Sequence, residues 1–190
     1  MAKPRLPLLE ESLRNSKVVK RGEYSYFVHP LTDTIPPIKP ELLDEICEGI
    51  LKVADTSNVD VLVTMEAMGI HIAAVLSQKT GIPFNVIRKK QYWLPGEIVL
   101  DQSTGYSKGK MYINGIKKGD RILLVDAVVS TGGTLAAVIK GLQKAGAEIK
   151  DIVCVIERGE GRKTVEEKTG HKVKTLVKID IAENKVRILK

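Results

Sequence analysis

The sequence predicts an α/β fold, a mainly parallel twisted sheet flanked by helices, in one domain spanning residues 1–190. Three observations predict it. Val/Ile/Leu-rich runs recur without polar alternation, as strands covered on both faces require. Amphipathic stretches of helical period separate them, the βαβ rhythm of a parallel sheet. A chain of 190 residues also suffices for one substantial core but not for two ordinary domains.

In chain order, the opening segment Leu8 to Lys39 is expected to be irregular. It carries Tyr24, Tyr26 and Phe27 and ends in Thr34-Ile-Pro-Pro-Ile-Lys-Pro40, where the prolines forbid regular helix. Pro40 opens a helix over about Glu41–Ala54, with Leu42, Leu43, Ile46, Ile50 and Leu51 at helical spacing. Val59–Thr64 reads as a buried strand, followed by a helix over about Gly69–Thr80. Gly81-Ile-Pro83 turns the chain into a second strand, Phe84–Lys89. Residues 90–120 are polar and rich in Gly and Lys, and are expected to form a mobile hairpin or flap. Ile122–Val125 is the third strand, Thr134–Ala145 the next helix with Gly146 as its stop, and Ile149–Ile156 the fourth strand. The tail Val173–Leu189 reads as one or two more strands turning at Glu183-Asn184.

Composition narrows the function classes. Hydrophobic residues at 43% against 28% charged argue for a folded domain over a disordered one. No apolar run approaches the roughly 18 residues that cross a bilayer. A net charge of +7 suits an anionic partner, yet Lys and Arg are interleaved with Asp and Glu throughout. Aromatics at 4% leave few platforms for stacking bases. The expectation is a polyanionic small substrate, with neither nucleic acid nor membrane as partner. Cys47 and Cys154 each lie in an apolar segment without a metal-ligand spacing, and are read as core thiols of a cytoplasmic protein.

The chemistry concentrates at 121–138. A buried strand ends in Asp126, a short apolar step follows, and Ser130-Thr-Gly-Gly-Thr134 opens a helix. Such a turn is an anion site: glycines let the backbone approach closely, and amides at the helix start point at the ligand. The hydroxyls of Ser130, Thr131 and Thr134 add donors. No Lys follows the glycines, which excludes the nucleoside-triphosphate loop, and the pattern is not GxGxxG.

This motif resembles the signature with which type I phosphoribosyltransferases bind phosphoribosyl pyrophosphate (PRPP). The resemblance implies that family's fold, with an N-terminal hood over about 1–40 and a flexible flap over about 90–120. It also implies that Ser130, Thr131, Gly132, Gly133 and Thr134 take the ribose phosphate and Asp126 the ribose hydroxyls. Mg²⁺ would be held mainly by PRPP, near Asp126, with no dedicated protein site. The family usually has a second acid after the strand; here that position is Ala127.

Other segments extend the likeness. The turn Glu66-Ala67-Met68-Gly69 resembles the pyrophosphate turn of adenine phosphoribosyltransferases: Glu66 and Gly69 match its Glu-Ser-Arg-Gly form, with Met68 in place of the arginine. His71 just beyond is read either as structural or as reaching an anion. Arg88 and Lys89, followed by Leu94-Pro-Gly-Glu97, resemble the adenine and archaeal hypoxanthine branches, and put cations where pyrophosphate would leave. Gly105 stands where adenine enzymes carry a catalytic Glu before the flap tyrosine, here Tyr106. Ser130 stands where many oxopurine enzymes carry an acid.

Over nearly the whole chain the sequence is most similar to archaeal hypoxanthine phosphoribosyltransferases. The resemblance implies purine salvage: hypoxanthine or guanine plus PRPP giving IMP or GMP plus pyrophosphate, in a homodimer, with Asp126 and Arg88 catalytic. The base is expected beneath the hood near Ile156–Arg158, with Glu157 either accepting from a ring N–H or pairing with Arg158. Three alternatives remain: an adenine enzyme, a PRPP-binding regulator without turnover, and another type I transferase acting on a pyrimidine or xanthine.

Overall fold

The computed structural model of the chain describes residues 4–103 and 108–189. A helix α1 (Pro7–Arg14) precedes a hairpin of β1 (Lys17–Arg21) and β2 (Tyr24–Val28), then a single-turn helix α2 (Pro30–Asp33). The core alternation follows: α3 (Pro40–Val53), β3 (Val61–Met65), α4 (Ile70–Thr80), β4 (Phe84–Ile87). A second hairpin joins β5 (Ile98–Ser103) to β6 (Lys108–Ile113). The chain closes with β7 (Arg121–Val129), α5 (Gly133–Lys144), β8 (Glu148–Arg158), α6 (Gly161–Thr169), β9 (Lys174–Ala182) and β10 (Lys185–Leu189).

Six strands form the main sheet in the order β10-β9-β8-β7-β3-β4, with every pair parallel except β9–β10. Alternate residues of β7 explain why both faces are covered. Leu123, Val125 and Ala127 join the layer under α1, α3 and α4, whereas Ile122 and Leu124 join the layer under α5 and the second hairpin. Full burial of such side chains contributes roughly 1.5–3 kcal/mol each, which is why the continuous apolar runs stay strands. Cys47 and Cys154 are buried in the core as free thiols.

Two expectations are corrected. The segment Leu8–Lys39 is not irregular. Pro7 sits in the first turn of α1, where a missing N–H costs nothing, and Leu9 and Leu13 bury its apolar stripe. Gly22 at φ +62° then turns β1 onto β2 in a two-residue loop. The third strand also runs on past Val125 to Val129, so Asp126 and Ala127 lie inside β7. Helix α6 went unpredicted; only Gly161 and Val165 of it are buried.

The second hairpin occupies the expected flap region. It packs on α5 at Gly141, where an added Cβ would lie 2.6 Å from a Leu100 methyl and 2.7 Å from an Ile113 methyl. The expectations placed on Gly105 and Tyr106 lie outside the described residues.

Candidate active site

Strand order reverses between β3 and β7. The chain leaves β3 outward to β4 and leaves β7 the other way to β8, so their carboxyl ends open a crevice. A cleft of about 290 Å³ lies there. One wall is the loop after β7 and the start of α5; another is the turn after β3; the hood residues Tyr24, Tyr26, Phe27 and Thr32 close it.

The loop wall is an anion cradle. Gly132 has φ +77°, a conformation that favours glycine, and Gly133 begins α5. The first intrahelical bond runs from Ala136 N to Gly132 O at 2.9 Å, so the amides of Gly133, Thr134 and Leu135 precede it. Those amides and the helix dipole favour an anion. The start of α6 buttresses the loop: a Cβ on Gly132 would collide with the Gly161 carbonyl oxygen and meet Val165 at 3.0 Å. A Cβ on Gly161 would collide with the Ser130 carbonyl.

Asp126 lines the floor and accepts the Ala127 N–H at 2.8 Å. Burial pushes its carboxyl up to about 7, against the opposing Ala127 N–H. Ala127 is fully buried and points into the opposite core layer with Leu123 and Val125. Successive strand residues face opposite ways, so position 127 serves the core in this chain.

The turn after β3 contributes Glu66, Ala67 and Met68 to the cleft, and its Glu66–Ala67 peptide is cis. Glu66 Oε2 accepts from Arg88 Nε at 2.8 Å and from the Lys89 N–H at 3.1 Å. Burial opposes ionisation of Glu66, but the Lys89 N–H and the Arg88 guanidinium outweigh it and its pKa is lowered. Gly69 sits behind the turn, where a Cβ would collide with Thr64 Oγ1 and lie 3.3 Å from Asp126 Oδ1. Thr64 Oγ1 is buried with no hydrogen-bond partner among the described residues.

The hood is tied to the cradle. The Tyr24 hydroxyl lies 3.1 Å from Ser130 Oγ, and the Arg158 guanidinium stacks 4.4 Å from the Tyr24 ring centroid. Glu157 does not pair with Arg158. It pairs instead with Lys178 and Arg162, each at 3.0 Å, and accepts from Thr175 at 2.9 Å. Strand alternation sends Glu157 and Arg158 to opposite faces. His71 is half-buried and bonded to the backbone of Leu31; burial lowers its pKa against that bond, which fits the structural reading.

Of the residues singled out in sequence, Glu66, Ala67, Met68, Lys89, Asp126, Ser130, Thr131, Gly132 and Thr134 meet in one cleft. Gly69, Arg88 and Gly133 do not line it: Gly69 backs the turn, Arg88 holds Glu66, and Gly133 starts α5. Gly161, which buttresses the loop, was missed. A Gly after a strand is a visible signal, but its contact with Ser130 spans the fold.

Comparison with known proteins agrees with this geometry. Residues 38–187 match the family model described as the phosphoribosyl transferase domain. A protein of Methanocaldococcus infernus named hypoxanthine/guanine phosphoribosyltransferase is 62% identical over 180 residues, covering 95% of this chain and 98% of its own. The protein of the same name from Methanocaldococcus jannaschii is 58% identical, covering 96% of this chain and 100% of its own. Among solved structures, adenine phosphoribosyltransferase from Thermoanaerobacter pseudethanolicus superposes with a TM-score of 0.75 at 21% identity, covering 92% of this chain and 99% of its own. That likeness shows a shared fold.

Proposed function

The chain belongs to the phosphoribosyl transferase domain family, and from that premise we propose that it is a purine-salvage enzyme joining hypoxanthine or guanine to PRPP. The products are IMP or GMP and pyrophosphate. One observation carries the reading: the Tyr24–Ser130 contact brings an anion cradle and an aromatic hood into a single cleft. The oxopurine class is supported by relatives of that name at 55–62% identity over nearly the full chain.

The residues divide the substrate between them. Ser130 to Thr134 take the 5-phosphate on backbone amides and hydroxyls, and Asp126 accepts from the ribose hydroxyls. Gly69 lets the 66–69 turn close on the pyrophosphate beside Lys89. Arg88, outside the cleft lining, donates Nε to Glu66 and adds positive charge beside the turn that takes the leaving pyrophosphate. The base lies under Tyr24, Tyr26 and Phe27. Breaking the glycosidic bond builds positive charge on the ribose and negative charge on pyrophosphate, and these fixed cations and amides stabilise the latter. The second hairpin closes over the cleft and excludes water.

Asp126, a half-buried carboxyl with no ion pair among the described residues, would fit a divalent ion held mainly by PRPP. Among the described residues no three His, Cys, Asp or Glu side chains gather as a metal cage. The chemistry that Mg²⁺ bound with PRPP would supply is neutralisation of charge on the leaving pyrophosphate. We infer further a single domain, from the length of 190 residues, a cytoplasmic location, from the composition, and a homodimer, from the family resemblance. Separately, no described helix is long and apolar enough to cross a membrane.

Calorimetric titration with PRPP and Mg²⁺ tests the site. Thr131→Ala with Thr134→Ala should weaken binding about tenfold or more while the chain stays folded. Equal affinity in wild type and variant would remove the phosphate from this loop.

A further inference from the structure

We infer that Asp33, which does not itself line the cleft, determines the preference for oxopurines by fixing the polarity of two hood hydroxyls. The inference rests on the base lying beneath the hood. Asp33 Oδ1 accepts from the Tyr26 hydroxyl at 2.7 Å, and Oδ2 accepts from Thr32 Oγ1 at 2.6 Å and the His29 N–H at 3.1 Å. Tyr26 and Thr32 both line the cleft.

A carboxylate accepts hydrogen bonds and cannot donate them. The one proton of each hydroxyl is therefore committed to Asp33. The other neighbour of Thr32 Oγ1, the His29 carbonyl at 3.3 Å, also only accepts. A ligand that reaches either hydroxyl meets oxygen lone pairs and must donate.

The rest of the hood holds this polarity. His29 Nδ1 accepts the Leu31 N–H at 3.1 Å, which leaves Nε2 as the donor to Ser12 Oγ at 2.9 Å. The Arg21 guanidinium lies 4.1 Å from the Tyr26 ring centroid, packing that ring from one face.

Purines differ in what they offer such a wall. Hypoxanthine presents N1–H as a donor, and guanine adds its N2 amino group. Adenine presents the N1 lone pair at the same edge and donates only from its C6 amino group, so a hydroxyl that faces position 1 of the ring would meet lone pair with lone pair. A site built to accept a substrate N–H rejects an analogue lacking it, because buried polar atoms are left unpaired.

The test compares kcat/KM for hypoxanthine and adenine in wild type, Asp33→Asn, Thr32→Val and Tyr26→Phe. An Asn amide donates as well as accepts, so in Asp33→Asn a hydroxyl regains freedom to donate. The hypoxanthine-to-adenine ratio should fall about tenfold or more, with KM for PRPP unchanged. Thr32→Val and Tyr26→Phe remove one oxygen each, and at least one should lower the ratio even if Asp33→Asn does not fold. A ratio unchanged in every folded variant, or equal loss with both bases, overturns the assignment to Asp33. A wild-type chain that prefers adenine overturns it as well. A wild-type chain making no nucleotide from any purine overturns the base site beneath it, and is recognised before any variant is made.

Discussion

The Tyr24 hydroxyl lies 3.1 Å from Ser130 Oγ, joining the hood to the first residue of the phosphate loop across 106 positions of sequence. Tyr24→Phe and Ser130→Ala should each weaken PRPP binding about fivefold, the worth of one neutral hydrogen bond. The double variant should lose little more than either single one. A double-mutant cycle on PRPP affinity reads the coupling, expected near 1 kcal/mol.

Gly69 is required because Thr64 Oγ1 occupies the space of a Cβ. Gly69→Ala should displace the 66–69 turn and lower both the melting temperature and PRPP affinity, the latter about tenfold or more. Thr64→Ala alone should cost little stability, since the buried hydroxyl has no partner to lose among the described residues. Placed together with Gly69→Ala, it should restore part of both losses. Additive losses in the pair would show that the steric reading is wrong.

His29 is buried, and burial lowers its pKa to about 4 from 6.5, against the pull of Asp33. The unfolded chain therefore takes up a proton first as pH falls. The stability of a neutral His29 is fully present above about pH 6.5 and is lost as pH drops toward 4, with a ceiling of about 3 kcal/mol. His71, also lowered by burial, adds in the same direction. Asp126 acts oppositely: its raised pKa stabilises the fold at low pH and loses that contribution as pH rises through about 7. Melting an Asp126→Asn variant between pH 7.5 and 5.5 stays above the range in which the lowered carboxylates Glu66, Glu97 and Glu157 lose their contribution, and its midpoint should fall steadily below pH 6.5. A flat profile would contradict the neutral, buried His29.

Asp126 titrates near neutral pH in the free chain. Ribose hydroxyls donate to the ionised carboxyl, so PRPP binding should lower its pKa and release protons below about pH 7. Affinity should then rise with pH up to about 7 more steeply than in Asp126→Asn. Calorimetry in buffers of different ionisation enthalpy counts the protons; the same count in both chains would place Asp126 away from the ribose.

The parallel core was legible because β3, β7 and β8 are buried on both faces, and such strands need unbroken apolar runs. The phosphate loop was legible because Gly132 and Gly133 stand between a strand and a helix. The hood was not, since Pro7 reads as a breaker unless its place at the start of α1 is known. Helix α6 hides for a related reason: it buries only Gly161 and Val165, too little for a periodic signal. Arg88 and Lys89 were visible as cations, but the pairing of Arg88 with Glu66 spans the turn and β4. Asp33 looks like any loop acid in sequence; its three hydrogen bonds exist only once the hood has folded.

Pyrophosphate release from PRPP and Mg²⁺, measured separately with hypoxanthine, guanine, xanthine and adenine, tests the central claim most directly. The account predicts turnover with hypoxanthine or guanine and far less with adenine, abolished when Thr131 and Thr134 are replaced by Ala. PRPP binding without pyrophosphate release from any base would contradict it and leave a PRPP-binding protein that does no transfer.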